Sequence, residues 1–150
     1  GRDERSGPFL RCSPDGTSLD TSPGPAGHHG RQHPFTVTSR KPGHPILRGM
    51  PRSWRHGPDE LFDSLRGPCR NLELLATAWS DPATGGSGRH EPALFTVRFG
   101  SGRIFHTILG HSPAAMRSPG FMATLQRGTE WVATGDVTQP LPSGLTEEKP

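Results

Sequence analysis

Phe99-Gly-Ser-Gly-Arg-Ile-Phe-His-Thr-Ile-Leu-Gly-His111 is the stretch on which the fold turns. Ala93–Arg98 and Arg103–Leu109 are two β-type runs, and Phe99-Gly-Ser-Gly102 is short enough to join them as an antiparallel hairpin. The second run stops at Gly110-His111, which delivers a titratable side chain to the end of a strand. In open α/β sheets that edge is where ligands bind. Two roles for His111 stand side by side: a general base or polar site residue, or a histidine that caps backbone carbonyls after the strand.

Outward from the hairpin, Leu72-Glu-Leu-Leu-Ala-Thr-Ala-Trp79 is a mostly apolar run of strand length. It reads as a strand covered on both faces, in a parallel or mixed sheet. Phe35-Thr-Val-Thr38 is a shorter β-branched strand. Pro58-Asp-Glu60 reads as the start of a short helix, with acids at the positive end of its dipole. Leu61, Phe62 and Leu65 would share one face of that helix, and Gly67-Pro68 would end it. Ser118-Pro119 opens the longest helix, with Phe121, Leu125, Gly128 and Val132 as its buried stripe and Gly135 as its cap.

Composition bounds the rest. Only 29% of the 150 residues are hydrophobic, and Gly (20) and Pro (17) make up a quarter of the chain. Residues 1–26 and 143–150 carry turn formers without periodic apolar positions and read as tails. The net charge is +3. The basic residues are scattered, with no basic stripe interleaved with aromatics, which argues against a nucleic-acid partner. No apolar run approaches the ~20 residues of a membrane span. The chain opens at Gly1 without a signal peptide, and a cytoplasmic location is the expectation if that absence holds. Cys12 and Cys69 form no CxxC pair, and whether they bridge is left open.

Several residues could carry chemistry. His28, His29 and His33 place three imidazoles in one loop, as exposed side chains or as metal ligands. Their spacing matches no specific zinc pattern. Glu60 could orient an imidazole such as His111 instead of only opening a helix. Trp54 or Trp79 could stack on a sugar ring. A Gly-x-Ser-x-Gly elbow and a phosphate-binding Gly-x-x-x-x-Gly-Lys loop are both missing, so no nucleophile is assigned.

Read in order, Gly30-Arg-Gln-His-Pro-Phe-Thr-Val37, His44-Pro-Ile-Leu-Arg-Gly-Met-Pro51, Asp59-Glu-Leu-Phe62 and Leu75-Ala-Thr-Ala-Trp-Ser-Asp81 resemble the trehalose-utilisation (ThuA-like) family. Glu91-Pro-Ala-Leu-Phe-Thr96, Gly100–His111, Met116-Arg-Ser-Pro-Gly-Phe121 and Arg127-Gly-Thr-Glu-Trp-Val-Ala-Thr-Gly135 continue the match, which covers residues 27–142. Phe62 and Phe95 stand where the family usually has Tyr and Trp, and Ser112 where an Asp is common. The resemblance implies an α/β fold, the flavodoxin-like three-layer sandwich of class I glutamine amidotransferases, with the N-terminal half of that domain lacking here. It implies a bacterial role in carbohydrate metabolism, a small-molecule sugar as ligand and a sugar dehydrogenase as partner. Gly110-His111 looks like the position of the amidotransferase histidine. The matching cysteine elbow is missing, so the expectation is not a genuine glutamine amidotransferase. The site expected is His111 as base or anchor, Glu60 as its orienter, and His29, His33 and Trp79 as substrate contacts. A non-catalytic sugar- or partner-binding module is one alternative. A metal-dependent hydrolase on His28, His29, His33 and His111 is another. No cofactor follows from these residues.

Overall fold

The computed structural model describes residues 7–13, 16–67 and 70–148. Its centre is a five-stranded sheet in the order β5-β4-β7-β8-β9. These strands are β4 (His33–Ser39), β5 (Ser53–Asp59), β7 (Leu72–Ser80), β8 (Arg89–Phe99) and β9 (Gly102–Thr107). Two small ribbons join it: β1 (Phe9–Ser13) with β2 (Gly16–Asp20), and β3 (His28–His29) with β6 (Phe62–Asp63). The helices are α1 (Pro113–Met116) and α2 (Pro119–Thr134). The architecture is mixed α/β, and the curled sheet is antiparallel at every pairing among the described residues. The parallel or mixed sheet expected around Leu72–Trp79 is therefore corrected in strand direction. β7 is central and continuously buried from Leu74 to Ala78, but its neighbours run against it.

The β8–β9 hairpin forms as its sequence requires. Phe99 faces Gly102, and Gly100 takes a left-handed φ of 57° in the turn between them. Residues 7–26 do not behave as a featureless tail. Phe9 and Leu10 are buried, and β1 lies against β8. Arg66 explains part of this order, because its guanidinium stacks 3.5 Å from the Phe9 ring centre and donates to the carbonyls of Gly7 and Ser22. Cys12 sits half-buried in β1, and burial pushes its thiol up to about 12. Cys69 lies outside the described residues. The C-terminal segment is also tied down: Arg52 and Ser53 amides donate to the Glu147 carboxylate, and Leu141 and Leu145 pack on the core.

No helix forms at Pro58–Leu65. Asp59 ends β5, Leu61 enters the core, and Phe62 and Asp63 pair with β3. Tertiary partners outweigh the local helix signal there, because the Asp59 carboxylate is consumed by backbone amides from a distant turn.

Helix α2 begins after Ser118 and ends at Gly135, whose φ is 93°. Its buried stripe differs from the expected one. Phe121 and Gly128 are inside, together with Thr124 and Trp131, whereas Leu125 is 42% and Val132 is 36% exposed. The rotation follows from two close approaches. A Cβ on Gly120 would collide with Trp54, and one on Gly128 with the Phe105 ring, so the glycine edge of the helix must face the sheet. Buried Arg127 donates from one terminal guanidinium nitrogen to the carbonyls of Pro45 and Arg48, while its Nε is left without a partner. The core is formed by Phe35, Val37, Trp54, Leu75, Leu94, Phe121 and Trp131 with their smaller neighbours.

Candidate functional site

The site is built from Asp59 outward. In β5 the side chains of Trp54 and His56 point inward by ordinary alternation. The pairing with β4 then slips, because Phe35 faces His56 but His33 faces Asp59. This irregularity spans Gly57-Pro58, where Pro58 has no amide hydrogen to pair. It turns Asp59 to the interior face as well, three residues after His56.

The buried Asp59 carboxylate accepts four hydrogen bonds. Gly110 N–H (2.7 Å) and His56 Nε2 (2.8 Å) donate to Oδ2, while His111 N–H (3.0 Å) and Glu60 N–H (3.0 Å) donate to Oδ1. Burial alone would raise its pKa, but the His56 imidazole and the amides of Gly110 and His111 outweigh burial and hold the carboxyl below its usual range. The turn after β9 is thus fastened to the end of β5. Gly110 is required in that turn: its φ is 98°, and a Cβ there would lie 2.5 Å from Cε2 of Phe121.

With the turn fastened, Glu60 reaches two imidazoles. Its Oε2 lies 3.2 Å from His111 Nδ1 and 3.5 Å from His29 Nε2. Neither contact closes as a hydrogen bond, so acceptor and donor capacity is left for a ligand. His29 donates from Nδ1 to the Gly30 carbonyl (2.9 Å), which turns Nε2 toward Glu60, and its ring lies 5.1 Å from that of Phe62. His29 and His111 are both about half exposed, so the cluster opens to solvent.

Three of the expected site residues, His29, Glu60 and His111, therefore meet. His33 does not join them. It is paired beside Asp59 in the sheet, but its Nδ1 donates to the Arg31 carbonyl and its ring leans on Phe35. Trp79 also stays apart: Ala78 and Ser80 on either side of it are buried, and its half-exposed ring packs on His90 on the opposite face. Trp54 cannot stack on a ligand, because it is sealed in the core. Ser112 caps α1 by accepting from the Ala115 amide. Two residues that position the site, Asp59 and His56, are not visible by spacing. The signal that could have found them is His56-Gly-Pro-Asp59, an imidazole and a carboxylate flanking the pair that breaks strand alternation.

Among the described residues, clefts lie elsewhere. One of about 370 Å³ is lined by Thr17, Arg40, Lys41 and Glu73, and one of about 180 Å³ by Arg11, Cys12, Arg89 and Glu91. Neither holds His29, Glu60 or His111. Among the described residues no group of three or more His, Cys, Asp or Glu is arranged to hold a metal ion.

The sequence matches the ThuA family model, described as trehalose utilisation, over residues 16–132. The chain belongs to the ThuA family. A solved ThuA-like protein from Parabacteroides merdae ATCC 43184 is 47% identical and superposes with a TM-score of 0.92. The alignment covers 98% of this chain and 55% of that one, so the chain spans about half the length of its solved ThuA relative. No curated protein matches it. The ThuA match encloses every residue of the Asp59–Glu60–His111 arrangement and His29.

Proposed function

We propose that this chain carries the sugar-binding site of a ThuA protein acting in the utilisation of trehalose or a related disaccharide. The observation that supports this most is the single Glu60 carboxylate facing both His29 and His111 at an open surface. A carboxylate flanked by imidazoles suits a polyol. It accepts from adjacent hydroxyls, while the rings donate or accept as their tautomers require. Phe62 beneath His29 offers an apolar surface for the C–H face of a sugar. In this reading Glu60 orients His111 through Nδ1, and His111 is the base or anchor for a ligand hydroxyl. In this reading the reaction is acid–base chemistry on a sugar or glycoside, carried by His111 and Glu60. We propose further that the longer ThuA fold has the flavodoxin-like arrangement, with this antiparallel sheet beside its parallel strands. Antiparallel strands at the edge of an otherwise parallel sheet are common in such folds.

Calorimetric titration with trehalose tests the reading. Saturable binding is expected, weakened about 10- to 100-fold in Glu60→Gln, the cost of one charge-assisted hydrogen bond. Equal binding by the native chain, Glu60→Gln and His111→Ala would contradict it.

A further inference from the structure

We infer that His28 and Asp63 form a second acid–base pair, placed to move a proton to or from a sugar hydroxyl held at the adjoining Glu60 cluster. The ligand class rests on the reading above, but the pair rests on its own geometry. In the β3–β6 ribbon His28 stands opposite Asp63, and His29 opposite Phe62. The Asp63 side chain is only 1% exposed, whereas that of His28 is 58% exposed. His28 Nδ1 lies 3.3 and 3.2 Å from the two Asp63 oxygens. Ser80, at the end of the central strand β7, fixes the same carboxylate by donating from Oγ to Oδ2 (3.1 Å).

An ionised carboxylate can only accept, so Nδ1 carries the ring proton and Nε2 is left as the basic nitrogen of a half-exposed ring. A buried carboxylate behind an exposed imidazole is the arrangement that fixes tautomer and orientation in general-base pairs. The His28 ring centre is 6.4 Å from that of His29, so a sugar at the Glu60 cluster lies beside both. In the step assigned, the ligand O–H bond breaks as an Nε2–H bond forms, and the O–H electron pair stays on the ligand oxygen as an alkoxide. The resulting imidazolium faces Asp63, and the proton returns to oxygen in the reverse direction. Pairs of this kind contribute about 10²- to 10⁴-fold to turnover. The Glu60 contacts use neither side chain of the pair.

Diethyl pyrocarbonate modification of the 150-residue chain, resolved by residue with mass spectrometry, tests this. The rate at His28 should fall several-fold in Asp63→Asn, and added trehalose should slow it in the native chain. An unchanged rate in Asp63→Asn overturns the pair. So does a joint rise at His28 and His29, which is what local loosening of the ribbon produces. Dependence on Asp63 without protection by trehalose supports the pair and overturns the sugar reading. Nitrogen-15 NMR of the native chain needs no variant: a neutral His28 protonated at Nδ1 supports the pair, and one protonated at Nε2 overturns it.

Discussion

Asp59→Ala is expected to destabilise the chain by about 3–5 kcal/mol, the cost of removing a buried carboxylate and leaving its hydrogen-bond donors unsatisfied. Four donors lose their acceptor at once: His56 Nε2 and the amides of Glu60, Gly110 and His111. Of these, His56 has no exposed surface and its Nδ1 is already without a partner, so it cannot turn to water. Urea unfolding measures the loss, and a cost under about 1 kcal/mol, the worth of one ordinary hydrogen bond, would refute the role given to Asp59. Its pH dependence has a definite sign. The folded pKa lies below the ordinary value of 3.8, so the stabilisation is complete above about pH 4 and is lost as pH falls through the folded pKa. Asp59→Asn should remove this acid-side loss while lowering stability at neutral pH.

Gly110→Ala is expected to cost about 2–6 kcal/mol, from two sources of about 1–3 kcal/mol each. The first is backbone strain, because φ is 98°. The second is overpacking, because the new Cβ would stand 2.5 Å from the Phe121 ring in the core. Gly49→Ala separates the two. Gly49 also has a positive φ, 80°, but the nearest atom to its Cβ would be Leu141 Cδ1 at 3.8 Å, so only strain remains. Thermal melts of both variants should show the larger loss at Gly110. Equal losses would mean that the Phe121 contact relaxes without cost, and that the turn is less tightly held than its geometry indicates.

Legibility in the sequence followed the range of the forces involved. The β8–β9 hairpin was readable because Gly100 and Gly102 bracket a local turn. The ends of α2 were readable because Ser118-Pro119 and Gly135 are local stops. The helix expected at Pro58–Leu65 failed because Asp59 satisfies amides some fifty residues away, which no local pattern records. On α2, Phe121 and Gly128 lie inside as expected, but Leu125 and Val132 do not, because the approach of Trp54 to Gly120 and of Phe105 to Gly128 sets the helix rotation, and no local pattern records it. His29, Glu60 and His111 were readable as polar residues at element ends, and the structure supplies their meeting. His28 and Asp63 were harder, because only the pairing of β3 with β6 sets one opposite the other.

In the proposed function, Asp59 and Glu60 gather His29 and His111 into one sugar-binding site. Amide and imidazole NMR shifts of the isotope-labelled chain during trehalose titration test it most directly. The expected result is saturable shifts concentrated at His29, Glu60, Gly110 and His111, needing about 10- to 100-fold more trehalose in Glu60→Gln. No saturable shift, or shifts centred instead on the cleft at Arg40, Lys41 and Glu73, would contradict it.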